Sequence, residues 1–265
     1  MASELVLVKL GGSLITDKTA AELPRSEEIK RLAREIRAAR QDGNIKAIIG
    51  HGGGSFPHRP AHKYGTANGF HNAESAIGVS EVQHAASRLN RIVVRALIDA
   101  GENAVSFSPS SFMITTKGKP SKVFLEPLKI ALAKGITPVP YGDVTFDDKQ
   151  GCAIVSTEVV LESLAKKFKA KRIVIASKED GVWKDYPQNT ELVEEISPKT
   201  YAEIRKCLGG SSSTDVTGGM RSKVDTLLGL AKRTKAEIVI INGLVPGRLR
   251  DAMLGKKVVG TRVTC

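Results

Sequence analysis

Two unbroken apolar runs, Arg172-Ile-Val-Ile-Ala176 and Glu237-Ile-Val-Ile-Ile241, constrain this chain more than any other feature. A strand with one wet face alternates apolar and polar residues. A run without alternation needs apolar neighbours on both faces. Further strand-like runs stand at Leu5–Leu10, Ile45–Gly50, Ala104–Phe107 and Ile136–Pro140. Between the runs lie helix-length segments: Glu27–Arg40, with Ile29, Leu32, Ala33 and Ile36 on one face, then Glu74–Ala100 closed by Gly101. Further helices are expected near Leu125–Lys134, over Glu158–Phe168 and near Gly219–Arg233. Asp143–Phe146 and Cys152–Val155 read as a hairpin, and Lys257–Val263 as a last strand. Doubly buried strands interleaved with helices imply an α/β fold with a mostly parallel central sheet sandwiched by helices. No repeat or linker divides residues 1–265. One unit with two lobes is expected, about 1–170 and about 171–265.

Charge narrows the ligand class. Lys and Arg outnumber Asp and Glu by 40 to 28, a net +12 that attracts an anion: nucleic acid, acidic lipid or a phosphorylated small molecule. Aromatics are only 5%, and no RNP1, zinc-finger or basic-zipper pattern appears, so nucleic acid is disfavoured. The densest basic cluster, Lys166 to Arg172, reads as the solvated end of a helix. No apolar run reaches the ~18 residues of a membrane span. The run Leu5–Leu10 has no basic segment before it, so a secretory signal is not expected. Cys152, Cys207 and Cys265 are odd in number and scattered, which suits a reducing cytoplasm.

In open α/β sheets, ligands bind outside the carboxyl ends of the strands. Glycine clusters fall at those ends: Lys9-Leu-Gly-Gly-Ser13 after the first strand and Gly50-His-Gly-Gly-Gly-Ser-Phe-Pro-His58 after the second. A third, Asp215-Val-Thr-Gly-Gly-Met-Arg-Ser-Lys223, leads into a helix. Glycine lets backbone N–H groups approach a phosphate, and a helix N-terminus behind the loop adds partial positive charge. There is no Walker motif, and Pro57 stands where a dinucleotide fingerprint needs its last glycine. Lysines accompany the loops instead: Lys9, Lys18 and Lys223. An ammonium suits phosphoryl oxygens, and a lysine ending an apolar strand needs an anionic partner or an exit to water. His51 reads as a loop support, and His58 as a donor to an anionic substrate. His58 and His62 are four apart, but Pro60 between them discourages a regular helix, so a zinc-binding helix is not expected.

Lys9-Leu-Gly-Gly-Ser-Leu-Ile-Thr-Asp-Lys18, His51-Gly-Gly-Gly-Ser-Phe-Pro-His58 and Asp215-Val-Thr-Gly-Gly-Met-x-x-Lys223 resemble the amino-acid-kinase superfamily, and within it the isopentenyl phosphate kinases. Pro109-Ser-Ser-Phe112, Tyr141-Gly-Asp143 and Gly260-Thr-Arg-Val-Thr264 fit the same pattern, so the resemblance covers the whole chain in order. It implies phosphoryl transfer from ATP, with Mg2+, onto isopentenyl phosphate by a cytoplasmic homodimer. Carried over by motif, Lys9, Leu10, Gly11, Gly12 and Ser13 contact ATP phosphates, and Lys18 reaches the transferred group. Gly53 and Gly54 lie between acceptor and donor, and His58 holds the acceptor phosphate. Gly219 and Lys223 close on ATP, and Ser177, Asp180 and Gly181 lie near the nucleotide. The N-terminal lobe is then the acceptor side and the C-terminal lobe the nucleotide side.

The pattern is departed from in three places. Ser156-Thr-Glu158 stands where Ser-Gly-Asp is usual, so Glu158 takes the place of the lysine-organising aspartate. Thr157 adds a side chain on the acceptor side. Ser177-Lys-Glu-Asp-Gly181 replaces a Thr-Asp-Val-Asp-Gly stretch, and Pro57 replaces a glycine beside His58. Two alternatives therefore stay open: a kinase of another small phosphate or phosphonate of the fosfomycin type, and a degenerate nucleotide-binding sensor. An apolar acceptor cavity favours the isoprenoid. Ile77, Val79, Val82 and Leu89 are the candidates for its wall.

Overall fold

A computed structural model describes residues 3–17, 19–185, 188–208 and 219–265, with side chains omitted over 219–223. In chain order the strands that matter here are β1 (Leu5–Leu10), β2 (Lys46–His51), β3 (Ala104–Phe107), β4 (Met113–Thr116), β5 (Lys119–Val123), β6 (Thr137–Pro140) and β7 (Asp143–Asp147). They continue with β8 (Gly151–Val155), β9 (Arg172–Ser177), β10 (Glu195–Ile196), β11 (Glu237–Asn242) and β12 (Thr261–Val263). The helices that matter here are α1 (Gly12–Ile15), α2 (Ser26–Gly43), α3 (His58–Lys63), α4 (Ser75–Asp99), α5 (Glu126–Ala133), α6 (Thr157–Phe168), α7 (Gly219–Thr234) and α8 (Arg248–Met253).

The main sheet runs β10-β12-β11-β9-β1-β2. All its ladders are parallel except β11–β12. A parallel bridge between His51 and Tyr141 joins the end of β2 to the chain just past β6, and β6 in turn pairs with β3 in parallel. The hairpin β7–β8 carries β4 and β5 in a second sheet. The expected sandwich is therefore present.

Why the runs lack alternation is visible in the packing. Val6, Val8, Leu10, Val174, Val239 and Ile241 face α2, α4 and α8, meeting Ile36, Leu89 and Met253. Their neighbours Leu7, Ile48, Ile173, Ile238 and Ile240 face the other way, toward Leu161 and Leu164 of α6 and Leu227 of α7. Each side chain that leaves water in this way contributes on the order of 1.5–3 kcal/mol, so slipping a strand by one residue would exchange two cores. The register sets the site: Leu10 is level with His51 and Ala176, and Ser177 with Asn242. Four strand ends thus stop at one edge.

Some boundaries differ from the sequence reading. The last strand is shorter than Lys257–Val263 and covers only Thr261–Val263. Pro60 does not prevent a helix: α3 spans His58–Lys63 with Pro60 in its first turn, where a missing N–H loses no partner. α2 runs past Arg40 and stops where Asn44 turns left-handed, φ +46. Lys166, Lys167 and Lys169 are exposed at the end of α6, the solvated terminus their charge implied. Among the described residues, no helix is long and apolar enough to cross a membrane.

Candidate active site

The ends of β1 and β2, with the turn after β6, open into a cleft of about 350 Å³. Its floor is the meeting of the two glycine loops. Gly11 N–H donates to the Ala176 carbonyl at 2.8 Å, and Gly52 N–H to the Leu10 carbonyl at 2.9 Å. A Cβ on Gly12 would stand 2.5 Å from the Gly54 nitrogen, so only glycine lets the two backbones touch. Gly54 also holds φ +57, and a Cβ there would meet Thr16 Oγ1 at 2.1 Å. Thr16 staples the loops: its hydroxyl donates to the Gly12 carbonyl at 2.8 Å and accepts from Ser55 N–H at 3.0 Å.

His51 anchors the second loop from beneath. The ring is fully buried and stacks on Tyr141, centroids 5.6 Å apart. Asn90 Nδ2 donates to His51 Nε2 at 3.0 Å, so the proton sits on Nδ1, which donates to the Gly52 carbonyl at 3.1 Å. Burial drives the imidazole pKa down to about 4, against the opposing pull of that carbonyl. His51 is a neutral support, in keeping with its sequence reading.

Lys9, one residue from the end of β1, forms an ion pair with Glu158 in the first turn of α6. Burial raises the Glu158 carboxyl, but the Lys9 ammonium and its hydrogen bond outweigh that, and the net shift is downward. The glutamate that stands where aspartate is usual therefore still reaches the lysine. Ser156 caps α6, its hydroxyl accepting from Val159 N–H at 3.3 Å, and the helix N-terminus faces the same cleft.

His58, at the start of α3, is exposed on the rim and also borders a neighbouring depression formed with Thr19, Ser55 and Arg59. Beside it the cleft turns apolar, with Pro57, Ala61, Val82 and Ile154. Of the four expected wall residues only Val82 serves. Leu89 lies in the main core, Ile77 is exposed, and Val79 backs the small cluster of Val82, Val144 and Cys152. Asp143, in the same wall, is 2% exposed. Burial pushes its carboxyl up to about 7, although Val144 N–H and the Ser108 hydroxyl donate to it at 2.8 and 3.1 Å.

The cleft thus brings together Lys9, Gly12, Ser13, Gly53, Gly54, His58, Thr157 and Glu158. Leu10 differs from its expectation, because its side chain is in the core and its carbonyl is taken by Gly52. Thr157 requires a correction too: its hydroxyl is turned onto the His51 carbonyl at 2.6 Å instead of being offered to a ligand. Ser177 ends β9 beside Gly11, and Asp180 and Gly181 follow it, with Gly181 packed against Thr261. The Asp180 carboxylate is paired with Arg248. Gly219 opens α7, while Lys18 and the side chain of Lys223 lie outside the described residues. Sequence reasoning missed Thr16 and Asn90, whose roles arise only when distant loops meet. For Asp143 a signal existed: a carboxylate after a glycine at a strand end.

The amino acid kinase family model matches residues 4–242. The chain belongs to the amino acid kinase family. Within it the chain is similar to the isopentenyl phosphate kinase of Methanocaldococcus jannaschii, 34% identical over 98% of both chains. Among solved structures it is similar to an isopentenyl phosphate kinase at TM-score 0.82 and 30% identity, covering 98% of this chain and 100% of that one. It also matches an isopentenyl phosphate kinase described as a substrate complex, at TM-score 0.77 and 25% identity, over 99% and 100% of the two chains. These amino acid kinases match the chain from end to end.

Proposed function

We propose that this chain transfers the γ-phosphoryl group of ATP to isopentenyl phosphate, giving isopentenyl diphosphate and ADP. The observation that carries the reading is the pair of glycine loops in backbone contact beside the Lys9–Glu158 ion pair, with apolar Val82 and Ile154 across the same cleft. It is supported by full-length similarity to kinases named for this acceptor. The apolar wall also favours an isoprenoid tail over a small polar phosphonate.

A phosphate monoester has a second pKa of ~6, so its attacking oxygen is already ionised at neutral pH. No general base is needed. The acceptor oxygen forms a bond to the γ-phosphorus as the bond to the bridging oxygen breaks and ADP leaves. Charge spreads over the equatorial oxygens in a loose transition state, so positioning and electrostatics do most of the catalysis. In this reading Lys9, the amides of Gly12 and Ser13, Lys18, Gly219 and Lys223 neutralise the donor phosphates, while the Gly11 amide is spent on the Ala176 carbonyl. Gly53 and Gly54 present amides between donor and acceptor, and His58 donates to the acceptor phosphate. The loop Ser177–Gly181 lies near the nucleotide, so the lobe after about residue 170 is the nucleotide side.

Mg2+ fits as an ion carried on ATP. Glu158 is engaged by Lys9, and Asp143 is buried with its carboxyl pushed up to about 7 and bonded to Val144 N–H and Ser108, so phosphate oxygens and water would complete its shell and offset their charge. The test is product identification: phosphorus NMR of the chain with MgATP and isopentenyl phosphate should show a new diphosphate as ATP is consumed. ATP consumed without that diphosphate would refute the assignment.

A further inference from the structure

We propose that Thr157 is a positioning residue that ties the Lys9–Glu158 pair to the second glycine loop through the His51 carbonyl. Thr157 is the first residue of α6 and is 1% exposed. Its hydroxyl donates to the His51 carbonyl at 2.6 Å, and Gly142 N–H donates to the same oxygen at 3.1 Å. The Thr157 methyl lies over Gly50, where an added Cβ would come within 2.7 Å of it. Gly50 is the register partner of Lys9. One side chain thus reaches the strand residue beside Lys9 and the carbonyl that precedes Gly52.

The anchor at the far end is rigid. His51 is stacked on Tyr141 and held by Asn90, which also donates to the Val139 carbonyl at 3.1 Å. A short hydrogen bond to a carbonyl that cannot move fixes the first turn of α6, and Glu158 is the next residue along it. Glu158 has one more rotatable bond than aspartate and alone would place the ammonium less definitely. The Thr157 tether offsets that freedom. The separation between the Lys9 ammonium and the amides of Gly53 and Gly54 then depends on one hydroxyl, and small misplacement of reacting groups is costly in rate.

The proposal rests on the kinase reading for its rate prediction, and its test has a second arm that does not. Thr157→Val keeps the shape and removes the donor, whereas Thr157→Ser keeps the donor and removes the methyl. If the residue served only to fill space, Ser would be the worse variant. The tether predicts the reverse order: kcat falls about tenfold in Val with both KM values within about twofold, and Ser stays near wild type. Competitive acetylation of Lys9, read by peptide mass spectrometry against an exposed lysine, should rise several-fold in Val and not in Ser. Thr157→Ala compared with Ser supplies the same contrast should Val fold poorly. Equal kcat and equal Lys9 labelling in the Ser and donor-less variants, or a Ser variant below Val in kcat, would overturn the proposal. If isopentenyl phosphate is not turned over at all, the kinase reading fails while the labelling still decides the role of Thr157.

Discussion

Lys9 and Glu158 form an ion pair that spans the cleft from the end of β1 to the first turn of α6. The pair closes a gap of 149 residues and places a cation where a strand end, a helix N-terminus and two glycine loops converge. An ammonium one residue inside an apolar strand would be costly without that carboxylate. When a polyphosphate enters, the ammonium can face it while Glu158 keeps it aimed.

Lys9→Ala should therefore lower turnover by roughly 100- to 1000-fold, the range for deleting one transition-state donor. Glu158→Gln retains the shape and should cost less, about tenfold, because the ammonium survives but is held loosely. Steady-state rates of both variants, with circular dichroism to confirm folding, check the order. A Gln variant slower than the Ala variant would contradict it.

His58 stands on the rim beside the apolar wall and borders the neighbouring depression with Thr19, Ser55 and Arg59. His58→Ala should raise KM for the phosphate acceptor by roughly 10- to 100-fold, the value of one hydrogen bond to a charged group. KM for ATP should stay within about twofold. Varying each substrate separately measures both constants, and a change confined to ATP would remove His58 from the acceptor side.

Gly54 combines φ +57 with a Cβ position occupied by Thr16 Oγ1. Gly54→Ala should destabilise the fold by about 1–3 kcal/mol from backbone strain alone and also push the two loops apart. Thr16→Val removes the staple without strain, leaving Ser55 N–H without that partner. Its urea midpoint should fall less than that of Gly54→Ala, while its turnover falls with it.

Asp143 gives a pH signature. Its folded-state pKa, about 7, lies above the ordinary carboxylate value because of burial. The native state then binds a proton that the unfolded chain has released, so this group's contribution to stability declines as pH rises from about 4 to about 7 and levels off above. Asp143→Asn should remove that decline, on the order of 4 kcal/mol in all. Urea unfolding of both proteins at about pH 5 and about pH 8 isolates it, since the opposite contribution of His51 is common to the two. Equal pH dependence in the two proteins would mean that Asp143 is ionised throughout.

Much of the architecture was legible because burial on both faces leaves a plain trace. Arg172–Ala176 and Glu237–Ile241 contain no polar alternation, and both became central strands. The glycine loops were legible for a related reason: touching backbones exclude every other residue, as Gly12 and Gly54 demonstrate. What escaped depends on contacts between remote segments. Nothing local in Thr16 announces that its hydroxyl will bridge to Ser55, and nothing in Thr157 that it will turn inward to His51. Pro60 misled for a local reason, since a proline breaks a helix interior but not a first turn. The helical stripe of α4 misled because one face of a long helix passes from core to cleft: Leu89 and Val82 share the periodicity and end in different surroundings.

The central claim is that two phosphates meet in this cleft with an isoprenoid tail against Val82 and Ile154. The most direct measurement is ADP release from MgATP with isopentenyl phosphate, dimethylallyl phosphate and fosfomycin as separate acceptors. The account predicts turnover of the two isoprenoid phosphates, with kcat/KM for isopentenyl phosphate at least about 100-fold above that for fosfomycin, the discrimination an apolar pocket of a few methylenes supplies. Preferential turnover of fosfomycin, or tight ATP binding with no ADP released to any of the three, would contradict it.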